Sequence, residues 1–367
     1  MNFFNYLKYE KNLLVKRTMP IYLIFFITER CLNDCRHCLL GNFNKTKKNK
    51  ELSTEEIKKI SGSLGDLLMF LPTGGEPFLR EDLPEIVKIF YDNNHARNVG
   101  IPTSGFNPKK INNLTERILT ACPKLDLGIE VSLDGFERTH NMIRNNKNSY
   151  ANALKTLEML QVLAGEHSNL NVSVALTFSK YNQDELLELY EYLKKIKRVT
   201  NFTLLLTRGA PSDKKAKEFN IEKFKAVKDK INRDLLLKKV GYKGYFFSKF
   251  INAKRIIRND MVYEIYKSKK QQGPCYAGSL TGVIRADGSV YPCEMADSPL
   301  GNLRDENYNF EEIWFNKRAN LFRENIRKNK CYCTHECFLS TNILFNPKYF
   351  AKLIYYALIR RKANNLR

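Results

Sequence analysis

The chain has 367 residues, 43% of them hydrophobic, which is long enough for one large domain with a smaller one attached. Lys and Arg number 61 against 39 Asp and Glu, a net charge of +22 that favours an anionic partner or surface, or else a solvated positive exterior. No stretch approaches the ~18 consecutive apolar residues of a membrane-spanning helix, which argues against an integral membrane protein.

Apolar runs alternate with helical patterns over the first 206 residues. A capping box, with Ser53 as N-cap and Glu56 at N3, predicts where the first helix begins. Six strand–helix units in a row predict a parallel sheet covered by helices, and right-handed crossovers curl such a sheet towards a barrel. Strands are predicted at 21–27, 67–71, 98–102, 125–133, 170–178 and 202–206, and helices at 53–61, 83–91, 109–120, 150–163 and 185–196.

Three cysteines follow the first predicted strand, as Cys31, Cys35 and Cys38 in a CxxxCxxC pattern. Three thiolates are one ligand short of a structural zinc site or an ordinary iron–sulfur cluster, so a cluster held here keeps one iron open. The alternatives are half of a zinc knuckle and a fortuitous cluster of cysteines. Cys122 is predicted to be a packing residue. Because the cysteines are grouped and no secretion signal is apparent, metal binding in a reducing cytoplasm is favoured over disulfides.

Polar motifs follow the next predicted strands. Gly74, Gly75, Glu76 and Pro77 come after strand two, where glycines permit close backbone approach and a residue before proline is held extended. The residues singled out further along are Ser104 in the turn after strand three, Ser132 and Asp134 at the end of strand four, Arg144 downstream, and His37 directly before the third cysteine.

With CxxxCxxC after strand one and Gly-Gly-Glu-Pro after strand two, the chain resembles the radical S-adenosylmethionine (SAM) superfamily. The resemblance implies an α/β fold with a partial (β/α)6 TIM-like barrel, a [4Fe-4S] cluster on the three cysteines, and SAM chelated by the open iron. It implies that 74–77 binds the SAM amino group and that Ser132 approaches the ribose hydroxyls or carboxylate. It also implies that Asp134 begins the next turn as one of the cofactor-binding residues, that Arg144 pairs with the carboxylate, and that His37 packs on adenine. Ser104 departs from the Thr-Asn-Gly-like turn of related proteins, and we predict it to lie near the site.

A second group of cysteines lies near the end of the chain. An Asp287-Gly288 hairpin signal separates Cys275 from Cys293. This Cys-rich α+β segment resembles the SPASM and twitch modules of radical SAM enzymes, which carry auxiliary [4Fe-4S] clusters. Five cysteines exceed the four ligands of one cluster, and the sequence does not say which is idle; an open position for substrate and a zinc ribbon are alternatives. The other three are Cys331, Cys333 and Cys337.

Five segments follow from these patterns. A basic amphipathic segment, 1–20, precedes the radical SAM core, 21–210. A basic connector, 211–274, with a predicted helix at 221–240, leads into the auxiliary-cluster module, 275–340. The chain ends in a basic aromatic tail, 341–367.

The resemblance implies an oxidoreductase or transferase in which SAM is reductively cleaved and a 5′-deoxyadenosyl radical abstracts hydrogen from the substrate. A flavodoxin- or ferredoxin-like donor supplies electrons, and the auxiliary cluster assists their transfer.

Few residues precede strand one, and both terminal segments mix basic with apolar side chains, as interfacial helices do. We therefore predict a cytoplasmic enzyme, peripheral at the inner membrane face, with a lipid-linked, sugar-like or anionic substrate. The alternative is a peptide- or protein-modifying enzyme, of the kind that acts on ribosomal peptides or matures sulfatases. Weaker alternatives are RNA modification, against which the lack of an RNA-binding pattern argues, and a non-enzymatic zinc protein.

Overall fold

The computed structural model describes residues 18–39, 50–196, 199–242, 248–329 and 331–358. Six parallel strands pair in chain order and form a partial barrel, as predicted. They are β1 (Tyr22–Thr28), β2 (Met69–Gly74), β3 (Asn98–Thr103), β4 (Asp126–Ser132), β5 (Leu170–Phe178) and β6 (Phe202–Leu206). The helices between them are α1 (Thr54–Gly62), α2 (Leu83–Asn93), α3 (Pro108–Ala121), α4 (Glu137–Arg144), α5 (Ser149–Glu166) and α6 (Leu186–Leu193).

Side-chain alternation on the strands separates an apolar outer layer from a more polar interior. On β4, Leu127, Ile129 and Val131 are fully buried within the main core, whereas Glu130 and Ser132 lie on the other face. The capping box forms at α1, because the Ser53 hydroxyl accepts from the Glu56 N–H and the Glu56 carboxylate accepts from the Ser53 N–H. Because the six core strands are parallel, their carboxyl ends all lie at one rim.

The cysteine-rich module continues the barrel sheet. Its strands are β7 (Thr281–Ile284), β8 (Ser289–Tyr291) and β9 (Gly301–Asn302), and the predicted hairpin turns at Gly288, where φ is +86°. β7 pairs in parallel with β1, aligning Thr281 with Tyr22. The described strands therefore make one nine-stranded sheet in the order β6-β5-β4-β3-β2-β1-β7-β8-β9. The sequence predicted the hairpin but not this pairing.

Helices fill the rest of the connector and the module. They are α7 (Ile221–Leu236), α8 (Ser248–Ser268), α9 (Phe310–Trp314), α10 (Lys317–Asn329), α11 (Glu336–Leu344) and α12 (Phe350–Leu358), with 3₁₀ turns at Pro77–Leu79, Lys214–Lys217 and Pro347–Tyr349. α8, with 21 residues, was not predicted. Its buried face carries Arg255, Arg258 and Asn259 among apolar residues, so no apolar stripe marks it in the sequence.

The terminal segments are described only in part. Residues 1–17 and 359–367, on which much of the membrane-association prediction rests, lie outside the described residues. α12 packs on α8 and buries Leu353 and Ala357, while Ile354, Tyr355 and Leu358 are exposed. No helix within the described ranges is long and apolar enough to cross a membrane. Peripheral membrane association stays a prediction.

The junction between β7 and Trp314 offers a test of the module's attachment. Trp314 is fully buried, and a Cβ added at Gly282 would lie 3.0 Å from its ring. We expect Gly282→Ala to lower the free energy of unfolding by about 1–3 kcal/mol, because the ring has no space to yield. Urea denaturation measures this effect.

Gly62→Ala is the matched control. Apart from its chain neighbours and the backbone of its own helix, no atom lies within 4 Å of a Cβ added at Gly62, and that residue ends α1. The control should raise the free energy of unfolding by up to about 1 kcal/mol. Equal stability of the two variants would contradict the packing at this junction.

Candidate active site

A cavity of about 680 Å³ opens at the carboxyl ends of the core strands. Functional groups commonly sit at this rim in barrels of parallel strands. All three cysteines of the CxxxCxxC loop line the cavity. The other predicted site residues that line it are Gly74, Gly75, Glu76, Ser104, Ser132, Arg144 and His37.

The glycines of the 74–77 turn are required by a close approach to the segment before Cys31. The Gly75 N–H donates to the Thr28 carbonyl at 2.9 Å, and the Glu76 N–H donates to the Arg30 carbonyl at 2.8 Å. A Cβ on Gly74 would lie 1.9 Å from the Thr28 oxygen, and one on Gly75 would lie 2.1 Å from the Arg30 oxygen. Gly74 also has φ of +133°, which side chains disfavour. The turn therefore lies directly against the start of the cysteine loop.

The Glu76 carboxylate is buried and accepts hydrogen bonds from four protein groups. Ser104 donates from its N–H and its hydroxyl, each at 2.7 Å, and Thr103 donates its hydroxyl at 2.9 Å. The fourth donor is the Phe78 N–H. Burial raises the pKa of Glu76, while these donors oppose the rise. The side chain thus ties the exit of β2 to that of β3. Ser104 lines the cavity and bonds to Glu76.

Pro77 is placed differently from the rest of its motif. It is buried as the first residue of a 3₁₀ turn and is not among the cavity-lining residues.

Asp134 lies behind the cavity wall and pairs with Arg144. The fully buried Asp134 carboxylate accepts from Arg144 Nε at 2.8 Å and Nη2 at 2.5 Å, and from the Thr177 N–H at 3.0 Å. Burial alone would raise the pKa of Asp134, but the guanidinium of Arg144 lowers it to about 2. Arg144 also contacts the Cys35 thiol. Asp134 therefore positions Arg144 beside the cysteine loop and does not itself line the cavity.

The carboxyl end of α4 supports the cysteine loop. The Arg36 N–H donates to the Ile143 carbonyl at 2.9 Å, and the Asp34 N–H donates to the Arg144 carbonyl at 3.3 Å. The last carbonyls of a helix have no partner within it, so the loop satisfies two of them. The sequence named Arg144 but did not predict this helix.

The His37 ring is buried beside Asp134, with its Nε2 atom 3.7 Å from the carboxylate. Burial lowers the pKa of His37 to about 4, so the ring is neutral at pH 7. Among the described residues its buried Nδ1 atom has no hydrogen-bond partner. A neutral ring at the cavity wall fits the predicted contact with adenine, which stays a prediction.

Among the cavity residues that sequence reasoning did not single out are Thr103, Thr177 and Arg208. The first two end or nearly end β3 and β5, and Arg208 follows β6, so their place after predicted strands was the signal that could have found them. Arg208 donates from Nη1 to Glu336 of α11 at 2.5 Å, which joins the cavity to the cysteine-rich module.

The second cysteine group surrounds another cavity, of about 550 Å³. Burial raises the pKa of Cys293 and Cys333 to about 12. Cys337 does not line this cavity; its thiol hydrogen-bonds with Tyr22 and His335. The cysteines that do line it are Cys275, Cys293, Cys331 and Cys333.

Both cavities fit the groups that the motifs imply. Thiolates are the ligands of iron–sulfur clusters, and each cavity gathers several thiols at its wall. Within the described residues, no three His, Cys, Asp or Glu side chains have the spacing of a site for a single metal ion.

Residues 25–209 match the family model of the radical SAM superfamily, and the chain belongs to that superfamily. Residues 275–338 match the SPASM domain, an iron–sulfur cluster-binding domain, so this member carries SPASM on the carboxyl side of its core. Membership implies a [4Fe-4S] cluster and SAM at the core, and an auxiliary iron–sulfur cluster in the SPASM domain.

Two curated relatives come from Bacillus subtilis. The sporulation killing factor maturation protein SkfB is 24% identical over 78% of this chain and 63% of its own length. The antilisterial bacteriocin subtilosin biosynthesis protein AlbA is 26% identical over 87% of this chain and 66% of its own length. The chain thus spans about two thirds of each.

A solved structure, of anSMEcpe with bound AdoMet and a peptide, Cp18Cys, superposes with a TM-score of 0.57 at 16% identity. The superposition covers 92% of this chain and 96% of anSMEcpe. It shows the same fold.

Removing the charge of Asp134 tests its role. Asp134→Asn leaves the Arg144 guanidinium buried without its counter-ion, so we expect the free energy of unfolding to fall by about 3–5 kcal/mol. Anaerobic urea denaturation of the iron-loaded protein measures the loss.

Asp126→Asn is the control, since Asp126 lies on the same strand and its carboxylate bonds to the Asn171 amide at 2.7 Å. It should change stability by less than about 1 kcal/mol. Equal losses in the two variants would show that the Asp134–Arg144 pair contributes no more to stability than the Asp126–Asn171 hydrogen bond.

Proposed function

We propose that this chain uses SAM radical chemistry to modify a peptide. The observation that carries the proposal is the single cavity that gathers the CxxxCxxC loop, the 74–77 turn and Arg144. When bound, the cluster and SAM supply one electron and a 5′-deoxyadenosyl group that removes hydrogen from a substrate carbon.

Different residues of the cavity bind the cluster and the separate parts of SAM. Cys31, Cys35 and Cys38 hold the cluster, and Arg144, fixed by Asp134, faces the SAM carboxylate as a planar donor. Backbone groups of the 74–77 turn meet the SAM amino group, since the Glu76 carboxylate is committed to other donors. Ser132 lies at the same wall, near the ribose or carboxylate.

A peptide substrate is supported by the relatives. SkfB and AlbA match this chain across both the core and the SPASM domain, and their names refer to maturation of a killing factor and biosynthesis of a bacteriocin. The anSMEcpe structure, which shares the fold, holds a peptide together with AdoMet. The lipid-linked or sugar-like substrate predicted from the sequence has no comparable support.

The four cysteines that line the second cavity are proposed as the auxiliary-cluster ligands. Cys337, which points to Tyr22 and His335, is the proposed idle member of the five. This assignment concerns metal binding alone and is independent of the substrate.

Formation of 5′-deoxyadenosine tests the radical chemistry. Anaerobically reconstituted protein with SAM and dithionite should release it, and the Cys31→Ala/Cys35→Ala/Cys38→Ala variant should not. Addition of candidate precursor peptides should raise the yield and change the mass of one of them. A zinc-loaded protein without product would overturn the proposal, and turnover of a non-peptide substrate alone would overturn its peptide part.

Iron content tests the ligand assignment. Cys337→Ser should keep about eight iron atoms per chain, and Cys333→Ser should lose about four, because the auxiliary cluster is assigned four thiolates and Cys333 supplies one of them. Electron paramagnetic resonance of the reduced proteins should show the same difference. Loss of iron from Cys337→Ser, with retention in Cys331→Ser or Cys333→Ser, would contradict the assignment.

A further inference from the structure

A basic groove lies on the outer side of the auxiliary cysteines. It has a volume of about 850 Å³, and its lining contains four cations and no acidic residue. We call it the basic groove and define it by Lys269, Lys270, Arg327, Lys348 and Tyr332.

Three separate parts of the fold supply its charges. Lys269 and Lys270 follow the end of α8, Arg327 lies on α10, and Lys348 lies in the 3₁₀ turn after α11. All four cations are exposed, and in the described part of the chain no carboxylate lies within ion-pair distance of them. The groove therefore presents an uncompensated positive field that attracts negatively charged partners.

Tyr332 joins the basic groove to the auxiliary site. Its side chain is 48% exposed and lines the groove. Its chain neighbours, Cys331 and Cys333, line the cysteine cavity on the other side. A partner seated in the groove is thus one residue away from two thiols of that site. Electron transfer falls off steeply with distance, so this contact offers a short path.

We propose that the basic groove docks an acidic one-electron carrier protein of the ferredoxin or flavodoxin class, which exchanges electrons with the auxiliary cluster. In the exchange one electron leaves one centre and is gained by the other, and no bond forms or breaks. The inference rests on the proposed auxiliary cluster but not on the proposed substrate. Nucleic acid is also anionic, but the proximity of the groove to the redox cysteines favours a redox protein.

Charge reversal in the groove tests the docking. The full-length, iron-loaded protein is titrated anaerobically with flavodoxin at low and at high ionic strength. Wild-type binding should weaken steeply with salt. Lys269→Glu/Lys270→Glu should raise the dissociation constant at low salt by about tenfold or more. The control, Lys109→Glu/Arg117→Glu, reverses two exposed cations on α3 and should bind as the wild type does.

A kinetic measurement separates docking at the auxiliary site from docking at the core. In a Cys31→Ala/Cys35→Ala/Cys38→Ala background only the auxiliary cluster can accept electrons. Reduction of that cluster by reduced flavodoxin, followed by rapid-freeze paramagnetic resonance, should slow about tenfold in the groove variant and not in the control.

Each contrary result has a distinct meaning. Salt-independent binding, equal weakening in the control, or an unchanged reduction rate would overturn the proposal. Loss of RNA binding in the groove variant with flavodoxin binding intact would make the groove a nucleic-acid surface instead. Failure of the proposed function would appear as absent 5′-deoxyadenosine or unmodified peptide, with carrier binding unchanged.

Discussion

The ion pair between Asp134 and Arg144 is the interaction on which the candidate site depends. A buried pair of this kind adds little net stability, since taking two charges out of water is costly, but it fixes geometry because neither charge tolerates losing the other. Asp134 is held at the end of β4 by the Thr177 N–H of β5, and Arg144 ends α4. This pair therefore holds the barrel, α4 and the Cys35 thiol in fixed positions relative to one another.

The same rim is fixed from the opposite side by backbone contacts. The 74–77 turn lies against the chain between Thr28 and Arg30, so β1 and β2 deliver the cysteine loop and the glycine turn as one unit. Glu76 extends that unit to β3 through Ser104. The site is therefore built mainly from the segments that follow the core strands. These segments pack too closely to admit added atoms, which suits a cavity that must orient a large cofactor.

The sequence was sufficient for the core because its signals are local. Alternating apolar runs mark the strands, Ser53 and Glu56 mark a helix start, and CxxxCxxC with Gly-Gly-Glu-Pro marks the site. What could not be predicted depends on long-range contacts. β7 joins β1 across some 250 residues of chain, and the buried arginines of α8 hide its helical pattern. The ion pair of Arg144 with Asp134 was likewise not predicted, because Asp134 was itself assigned as a cofactor-binding residue.

The pairing of β7 with β1 changes how the two cysteine sites relate. Because one sheet carries both, their separation is set by hydrogen-bonded strands. Arg208 occupies the space between them: it lines the first cavity, donates to Glu336 of the module, and its charge lowers the pKa of Cys333 against a larger effect of burial. A cation in that place stabilises negative charge on either side. Arg208 is therefore an electrostatic link between the core and the SPASM domain.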